Sequence, residues 1–252
     1  MSYYSELHMT NDSNLFEDKN KLENSGYKRN KFDFWIDNEN EVAAPLYEGR
    51  MIGQFNCSKK GWLYGKGRNA KWETIGINNH IVGPQYLMKI NEKSIKKFDQ
   101  NLKIGFLNIT SATNTRTVIA SLNKNFPHGH SVPVLKLENE SLLDYLIVTS
   151  FLNSFVFDYV ARQKLGGINF SWFIMREMIF PFYNEENKKI YRFLAYQVAL
   201  LSFTQLRFAP ELLEFSRILN FKKDDKIKIP TDEIVRKKIE SNIKILYFKY
   251  WT

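Results

Sequence analysis

A chain of 252 residues, 44% apolar and 25% charged, is long enough to bury a sizeable core and has the composition of a soluble globular protein. Its single cysteine, Cys57, excludes an internal disulfide and fits a reducing, cytoplasmic setting. The net charge of +9 is concentrated: residues 1–49 carry 5 Lys+Arg against 10 Asp+Glu, residues 50–124 carry 13 against 3, and residues 125–252 carry 18 against 14.

A polyanion is the natural partner of the middle segment. A merely lysine-rich surface is the plainer alternative. Met1 to Asn14 is polar and lacks the apolar centre of a signal peptide. The apolar stretches at 142–157 and 193–203 are interrupted by Asp, Asn, Gln or Ser, so neither reads as a membrane span.

In chain order, residues 1–44 read as an extended arm that docks through Phe16, Phe32, Phe34 and Trp35. Asn14 is placed to cap a short helix over 16–24. The arm reads as the middle of a longer protein rather than a natural start. Pro45 to Phe55 suits a strand or short helix. Cys57-Ser-Lys-Lys-Gly-Trp-Leu-Tyr-Gly-Lys-Gly-Arg68 is glycine-rich and basic, with Trp62 and Tyr64 interleaved. Lysines for phosphate and aromatics for stacking suit nucleic acid; a hairpin packing its aromatics on the core is the alternative.

Gln85 to Ile90 reads as a strand and Glu92 to Asp99 as a basic turn or helix. Next come two β-branched apolar runs, Ile104 to Ile109 and Val118 to Ala120, around a polar turn, Thr110 to Thr117. Phe126 to Pro133 is a turn into a strand, Val134 to Leu137. His128 and His130 flank one glycine there, and without a third ligand nearby they make a weak metal signal.

From Ser141 the apolar spacing becomes helical, giving one helix over 142–165 that stops at Gly166-Gly167. Phe170 to Ile179 reads as a strand or bend entering a short helix that stops before Pro181. Residues 185–207 and 210–220 read as helices, the second with Pro210 in its first turn. Lys222 to Pro230 is a charged loop, and Thr231 caps a last helix. Tyr247, Phe248, Tyr250 and Trp251 close the chain as packed aromatics. The expected fold is α+β, with a basic β-rich lobe over 45–139 followed by a helical lobe over 140–252.

Catalytic motifs are missing from the sequence. It has no Pro-Pro, hence no Asn/Asp-Pro-Pro-Tyr/Phe, no glycine-rich nucleotide or S-adenosylmethionine loop, no His-Glu-x-x-His, no cysteine pair and no Gly-x-Ser-x-Gly. Acid-x-Lys triplets such as Glu186-Asn-Lys188 and Asp224-Asp-Lys226 are expected by chance in so lysine-rich a chain. No complete active site and no metal site is expected within this chain.

Four segments carry a resemblance. They are His8-Met-Thr-Asn-Asp-Ser-Asn-Leu-Phe16 with Pro45-Leu-Tyr-Glu-Gly-Arg-Met-Ile-Gly-Gln-Phe55, Ile109-Thr-Ser-Ala-Thr-Asn-Thr-Arg-Thr-Val-Ile-Ala120, Leu152 to Asn169 with Phe180-Pro181, and Arg236-Lys-Lys-Ile-Glu to Tyr247. In that order they resemble the target-recognition (specificity) domain of type II restriction–modification adenine-N6 DNA methyltransferases of the IIG/IIL kind. The chain departs from that pattern at Phe55-Asn-Cys-Ser-Lys59, where the family has Asp-x-Arg.

The resemblance implies a domain that reads a short duplex DNA sequence beside a methyltransferase catalytic domain or subunit. That partner would hold S-adenosylmethionine and receive the flipped adenine; no cofactor is implied for this chain. Lys59, Lys60, Lys66, Arg68, Lys71 and Lys124 are the phosphate-contact candidates. Asn114 and Arg116 are candidates for base edges or nearby backbone, with Gln163, Lys164 and Asn169 as a second reading edge. Asn114 as a turn cap and Arg116 as partner of an internal carboxylate are the structural alternatives. Two other functions remain open: a self-contained metal-dependent nuclease or phosphodiesterase built on His128, His130 and nearby carboxylates, and a structural subunit whose basic surface meets an acidic protein.

Overall fold

The computed structural model describes residues 1–249 except His80, 139–140, 181–187 and 221–226, and describes no side chain of Ile77 or of 245–249. Pro181, the loop core at 222–226 with the whole Asp224-Asp-Lys226 triplet, the start of the helix expected at 185, Glu186 and Asn187 of the other acid-x-Lys triplet, and the four C-terminal aromatics lie outside the described side chains.

The strands are β1 (Ser2–Tyr4), β2 (Phe16–Asp18), β3 (Lys28–Arg29), β4 (Trp35–Ile36), β5 (Val42–Pro45), β6 (Lys60–Tyr64), β7 (Lys71–Thr74), β8 (Tyr86–Lys89), β9 (Lys103–Phe106), β10 (Ala120–Asn123) and β11 (Val134–Lys136). The α-helices are α1 (Lys19–Asn24), α2 (Leu142–Leu152), α3 (Phe155–Lys164), α4 (Trp172–Arg176), α5 (Lys188–Ser202), α6 (Ala209–Ile218) and α7 (Glu233–Lys249). The fold is α+β, strands mostly in the N-terminal half and helices in the C-terminal half.

One antiparallel sheet has the order β1-β11-β9-β10, a second has β2-β8-β5-β4-β3, and β6-β7 stand as a separate hairpin. Residues 1–44 are therefore woven in, giving an edge strand to the first sheet and most of the second. The boundary drawn at residue 44 falls inside β5. Asp18, not Asn14, caps α1, accepting from the Asn20 amide at 3.0 Å. Phe16 sits in β2 because its ring fills the space against Tyr86.

A buried ion pair pins this N-terminal segment. Both Glu6 carboxylate oxygens accept from Lys103 Nζ, at 2.6 and 2.9 Å, and they also accept from the Asp99 and His128 amides, each at 2.9 Å. The lysine side chain is fully buried at the start of β9. Burial pushes the Glu6 carboxyl up and the lysine down, and their mutual attraction opposes both shifts.

The main core runs through both halves, from Tyr47, Phe55 and Phe106 to Phe151, Val198 and Phe215. α2 packs on β9 and β10 and against α5. Arg207 is buried beneath this junction. It donates to Tyr47 Oη at 2.9 Å, Cys57 Sγ at 3.1 Å and the Lys124 carbonyl at 3.2 Å, with its guanidinium 4.5 Å from the Phe126 ring centroid.

The helix expected over 142–165 is two helices. Ser154 starts the second, its hydroxyl accepting from the Phe157 amide at 3.1 Å. Asn153 turns its amide onto β10, with Nδ2 donating to the Ala120 carbonyl at 2.9 Å and Oδ1 accepting from the Ala120 N–H at 3.1 Å. Local capping and this tertiary bond together outweigh the continuous apolar spacing. In α7, Asp232 caps in place of Thr231, accepting from the Ile234 and Val235 amides at 2.7 and 3.0 Å. Pro210 lies in the first turn of α6 as expected.

Candidate nucleic-acid interface

The basic segment forms the hairpin β6–β7, in register Lys60↔Thr74, Gly61↔Glu73 and Trp62↔Trp72. An isolated two-stranded hairpin is marginal in water, so its attachment matters. Lys59 N–H donates to the Met51 carbonyl at 2.7 Å, Ile75 N–H to the Lys59 carbonyl at 3.0 Å, and Trp62 N–H to the Gly83 carbonyl at 2.9 Å. Gly61 and Gly83 meet so closely that a Cβ on Gly83 would fall 2.6 Å from the Gly61 Cα. At the apex Gly65 has φ +83°, and a Cβ there would fall 2.6 Å from the Asn69 carbonyl oxygen.

Trp62 is buried, its Nε1 donating to the Gly65 carbonyl at 2.9 Å. It is thus a core anchor, while Leu63 and Tyr64 are exposed. Lys59, Arg68 and Lys71 are exposed and Lys60 half-buried. Lys66 is exposed and reaches no nearer than 3.8 Å to Asp18.

β9 and β10 pair as expected, Phe106↔Ala120 and Ile104↔Leu122, but their loop runs over 107–119, longer than the turn foreseen. It is self-braced and held from outside. Thr110 Oγ1 donates to the Thr117 carbonyl at 2.7 Å, and Thr117 Oγ1 to the Ser111 carbonyl at 3.0 Å. Asp158 Oδ1, from α3, accepts from the Thr117 and Val118 amides, both at 2.8 Å. Asp158 Oδ2 accepts from Arg162 Nε at 2.9 Å. Arg162 in turn donates to the carbonyls of Ala112, Asn114 and Thr115 at 2.7 to 2.8 Å. The i,i+4 spacing of Asp158 and Arg162 places both on one face of α3. That spacing stands in the sequence, but only the fold shows that it clasps this loop.

Two of the proposed contacts are corrected by their surroundings. Arg116 turns inward: its Nη2 donates to the carbonyls of Asn153 and Ser154 at 2.7 and 2.9 Å, its Nε lies 3.7 Å from Asp158, and its side chain is 11% exposed. The guanidinium satisfies the carbonyls left open where α2 ends, and burial pulls its pKa down against the attraction of Asp158. The internal-carboxylate alternative thus describes Arg116. Lys124 pairs with Glu211 Oε1 at 2.5 Å and is 15% exposed, because the end of β10 faces α6. Neither side chain is presented to a nucleic acid.

The other candidates are presented. Thr113, Asn114 and Thr115 form the exposed tip of the loop. The second reading edge lies beside it: Ile109 bridges Asn169, Thr110 N–H donates to the Ile168 carbonyl at 2.9 Å, and Phe170 N–H to the Asn108 carbonyl at 2.7 Å. Gln163, Lys164 and Asn169 are exposed. Lys164 contacts Glu177 at 3.4 Å, a surface pair of little strength. Gly166 and Gly167 follow the helix end without taking a left-handed conformation.

Two clefts meet at Lys59 and Ile119, between the hairpin and the loop. One, of about 670 Å³, reaches from Gln54 and Thr74 to Asn114, Arg116 and the start of α7. The other, of about 660 Å³, reaches from Lys59 and Lys60 past Trp72 to Glu48 and Tyr86. Glu48, Trp72 and Tyr86 were not foreseen, since nothing in their sequence spacing marks them.

His128 is buried, with Nε2 2.7 Å from Asn123 Nδ2 and Nδ1 3.2 Å from the Val132 carbonyl oxygen. A neutral imidazole protonated at Nδ1 satisfies both neighbours, and burial holds its pKa well below the usual value. Among the described residues no group of three or more His, Cys, Asp or Glu side chains is placed to hold a metal. No described helix is long and apolar enough to cross a membrane. Comparison with protein-family models, with characterised proteins and with solved structures returns no match for this chain.

Proposed function

We propose that this chain is a DNA-reading module that acts in the cytoplasm beside an adenine-N6 methyltransferase catalytic domain, which holds the S-adenosylmethionine and performs the chemistry. The observation that carries the reading is the concave face between the β6–β7 hairpin and the 107–119 loop. Lys59 and Lys60 line that face, Lys59 exposed and Lys60 half-exposed, Arg68 and Lys71 are exposed elsewhere on the hairpin, and none of the four makes an ion pair among the described residues. The backbone-braced tip at Thr113 to Thr115 and the adjoining edge at Asn169 supply groups for base edges. The helices brace the loop through Asp158 and Arg162.

Duplex binding across a salt series tests this. Each phosphate contact contributes about −0.9 to the slope of log K against log salt. K59A/K60A is therefore expected to flatten the slope by roughly 1.8 while leaving sequence preference intact. Asn114→Ala is expected to relax preference at one base pair and leave the slope unchanged. A wild-type chain with no salt-dependent affinity for any duplex, alone or joined to its catalytic domain, overturns the proposal.

A further inference from the structure

The apex of the β6–β7 hairpin carries two apolar side chains that the DNA-reading proposal does not use. Leu63 is 45% exposed and Tyr64 62%. Neighbouring strand residues point to opposite faces. With Trp62 buried, a regular strand would expose Leu63 and turn Tyr64 inward. The ladder slips by one residue at this point: Trp62 pairs with Trp72, Tyr64 pairs with Lys71, and Leu63 is the extra residue. A bulge of this kind re-aims side chains, and here it leaves both Leu63 and Tyr64 in solvent.

The pair stands on a braced support. The Gly65 carbonyl accepts from Trp62 Nε1 at 2.9 Å and from Gln85 Nε2 at 3.3 Å, the second reaching in from outside the hairpin. Arg50 Nη1 donates to the Ala70 carbonyl at 3.1 Å, and within the turn Asn69 N–H donates to the Lys66 carbonyl at 3.1 Å. Around this support, residues 57–72 hold five Lys+Arg and no Asp or Glu. Apolar side chains flanked by cations suit a surface whose apolar interior lies behind phosphates. Duplex DNA and an anionic membrane both have one. The order of residues favours DNA. A tip that enters a bilayer leads with its apolar residues and keeps charge out of the hydrocarbon. Here exposed Lys66, Arg68 and Asn69 form the turn, and Leu63 and Tyr64 come behind it. Laid side-on in a groove, such a hairpin keeps its cations among the phosphates while the apolar pair meets the stacked bases.

We propose that the hairpin apex is a wedge: Leu63 and Tyr64 enter between two neighbouring base pairs of duplex DNA, partly unstack them and kink the helix, while Lys66, Arg68 and Lys71 hold the flanking phosphates. The opened step is pyrimidine–purine, the class that kinks and unstacks most readily. The wedge rests on the DNA-reading proposal and deepens it, because it reads deformability where the loop tip reads base edges.

The probe is a set of duplexes drawn from a random-sequence pool by binding to the full chain. They carry dyes at both ends for energy transfer and 2-aminopurine at successive steps. The wild-type chain is expected to shorten the end-to-end distance and to raise 2-aminopurine emission at one step. L63A/Y64A is expected to lose both signals and keep the wild-type salt slope, because neither side chain meets a phosphate. Tyr64→Phe is expected to keep both signals. Arg68→Ala is the mirror image, with the signals kept and the slope flatter by about 0.9. Replacing the opened step by purine–purine is expected to weaken wild-type binding about tenfold and to leave L63A/Y64A binding unchanged. Circular dichroism confirms that the variants fold.

A bound duplex that stays straight and stacked, with a normal salt slope, overturns this inference alone. So does an L63A/Y64A chain that still bends and unstacks the duplex. Vesicles of phosphatidylserine and phosphatidylcholine supply the membrane arm. Tight vesicle binding that is lost in L63A/Y64A, with the duplex undistorted, overturns the wedge in favour of a lipid surface. No affinity for any duplex, alone or joined to the catalytic domain, overturns the DNA-reading proposal and the wedge with it.

Discussion

Asp158→Ala is expected to release the 107–119 loop and cost the protein roughly 3–5 kcal/mol. The carboxylate accepts from two buried loop amides and from Arg162, and it lies 3.7 Å from Arg116. Its removal leaves two buried N–H groups without acceptors and a mostly buried guanidinium without a counter-charge. Asp158→Asn keeps one acceptor oxygen for the amides but loses the charge, so a smaller loss is expected. Urea unfolding reads the stability, and hydrogen exchange at Thr117 and Val118 reads the loop. If DNA reading is the function, Asp158→Asn is also expected to blur sequence preference before it weakens phosphate-driven affinity. An Asp158→Ala protein with wild-type stability and protected amides at 117 and 118 would show that the clasp is dispensable.

The second large effect is expected at Lys103. Lys103→Met leaves the Glu6 carboxylate buried with only the Asp99 and His128 amides as donors, at a cost of roughly 3–5 kcal/mol. Against a typical total of about 5–15 kcal/mol, that brings the protein near its unfolding threshold. The double variant E6Q/K103M removes both charges and keeps an acceptor for one amide. It is expected to recover most of the loss, since a buried ion pair replaced as a pair is often close to neutral. Urea midpoints of the two single variants and the double give the coupling directly. A double variant no more stable than Lys103→Met would mean that the backbone amides, not the charge, hold the N-terminal segment in place.

What was legible in the sequence follows from the range of each interaction. The strand pair around 104–123, the helical second half and Pro210 in a first helical turn are set by local periodicity and backbone preference, and they stand where expected. The break after Leu152 was not legible, because it depends on Asn153 finding β10 some thirty residues earlier in the chain. Residues 1–44 looked like an arm because their strands are two to four residues long, too short for an alternating pattern to show. The partners of β1 and β2, which are β11 and β8, lie far along the chain. Charge counting located the hairpin but could not separate Lys59, which is exposed, from Lys124, which faces Glu211.

The hydrogen bonds by which Asp158 and Arg162 clasp the 107–119 loop go to main-chain atoms: amides at 117 and 118, carbonyls at 112, 114 and 115. The tip side chains are not needed by that clasp, although Thr113 Oγ1 meets Ser111 Oγ at 2.8 Å and Asn114 Nδ2 reaches Thr110 Oγ1 at 3.4 Å within the loop. New residues can be installed at the tip while the scaffold below stays the same, as in a tool with an interchangeable bit. Such a frame lets a lineage, or an engineer, alter what is read at this edge in one or two substitutions without first repairing the fold.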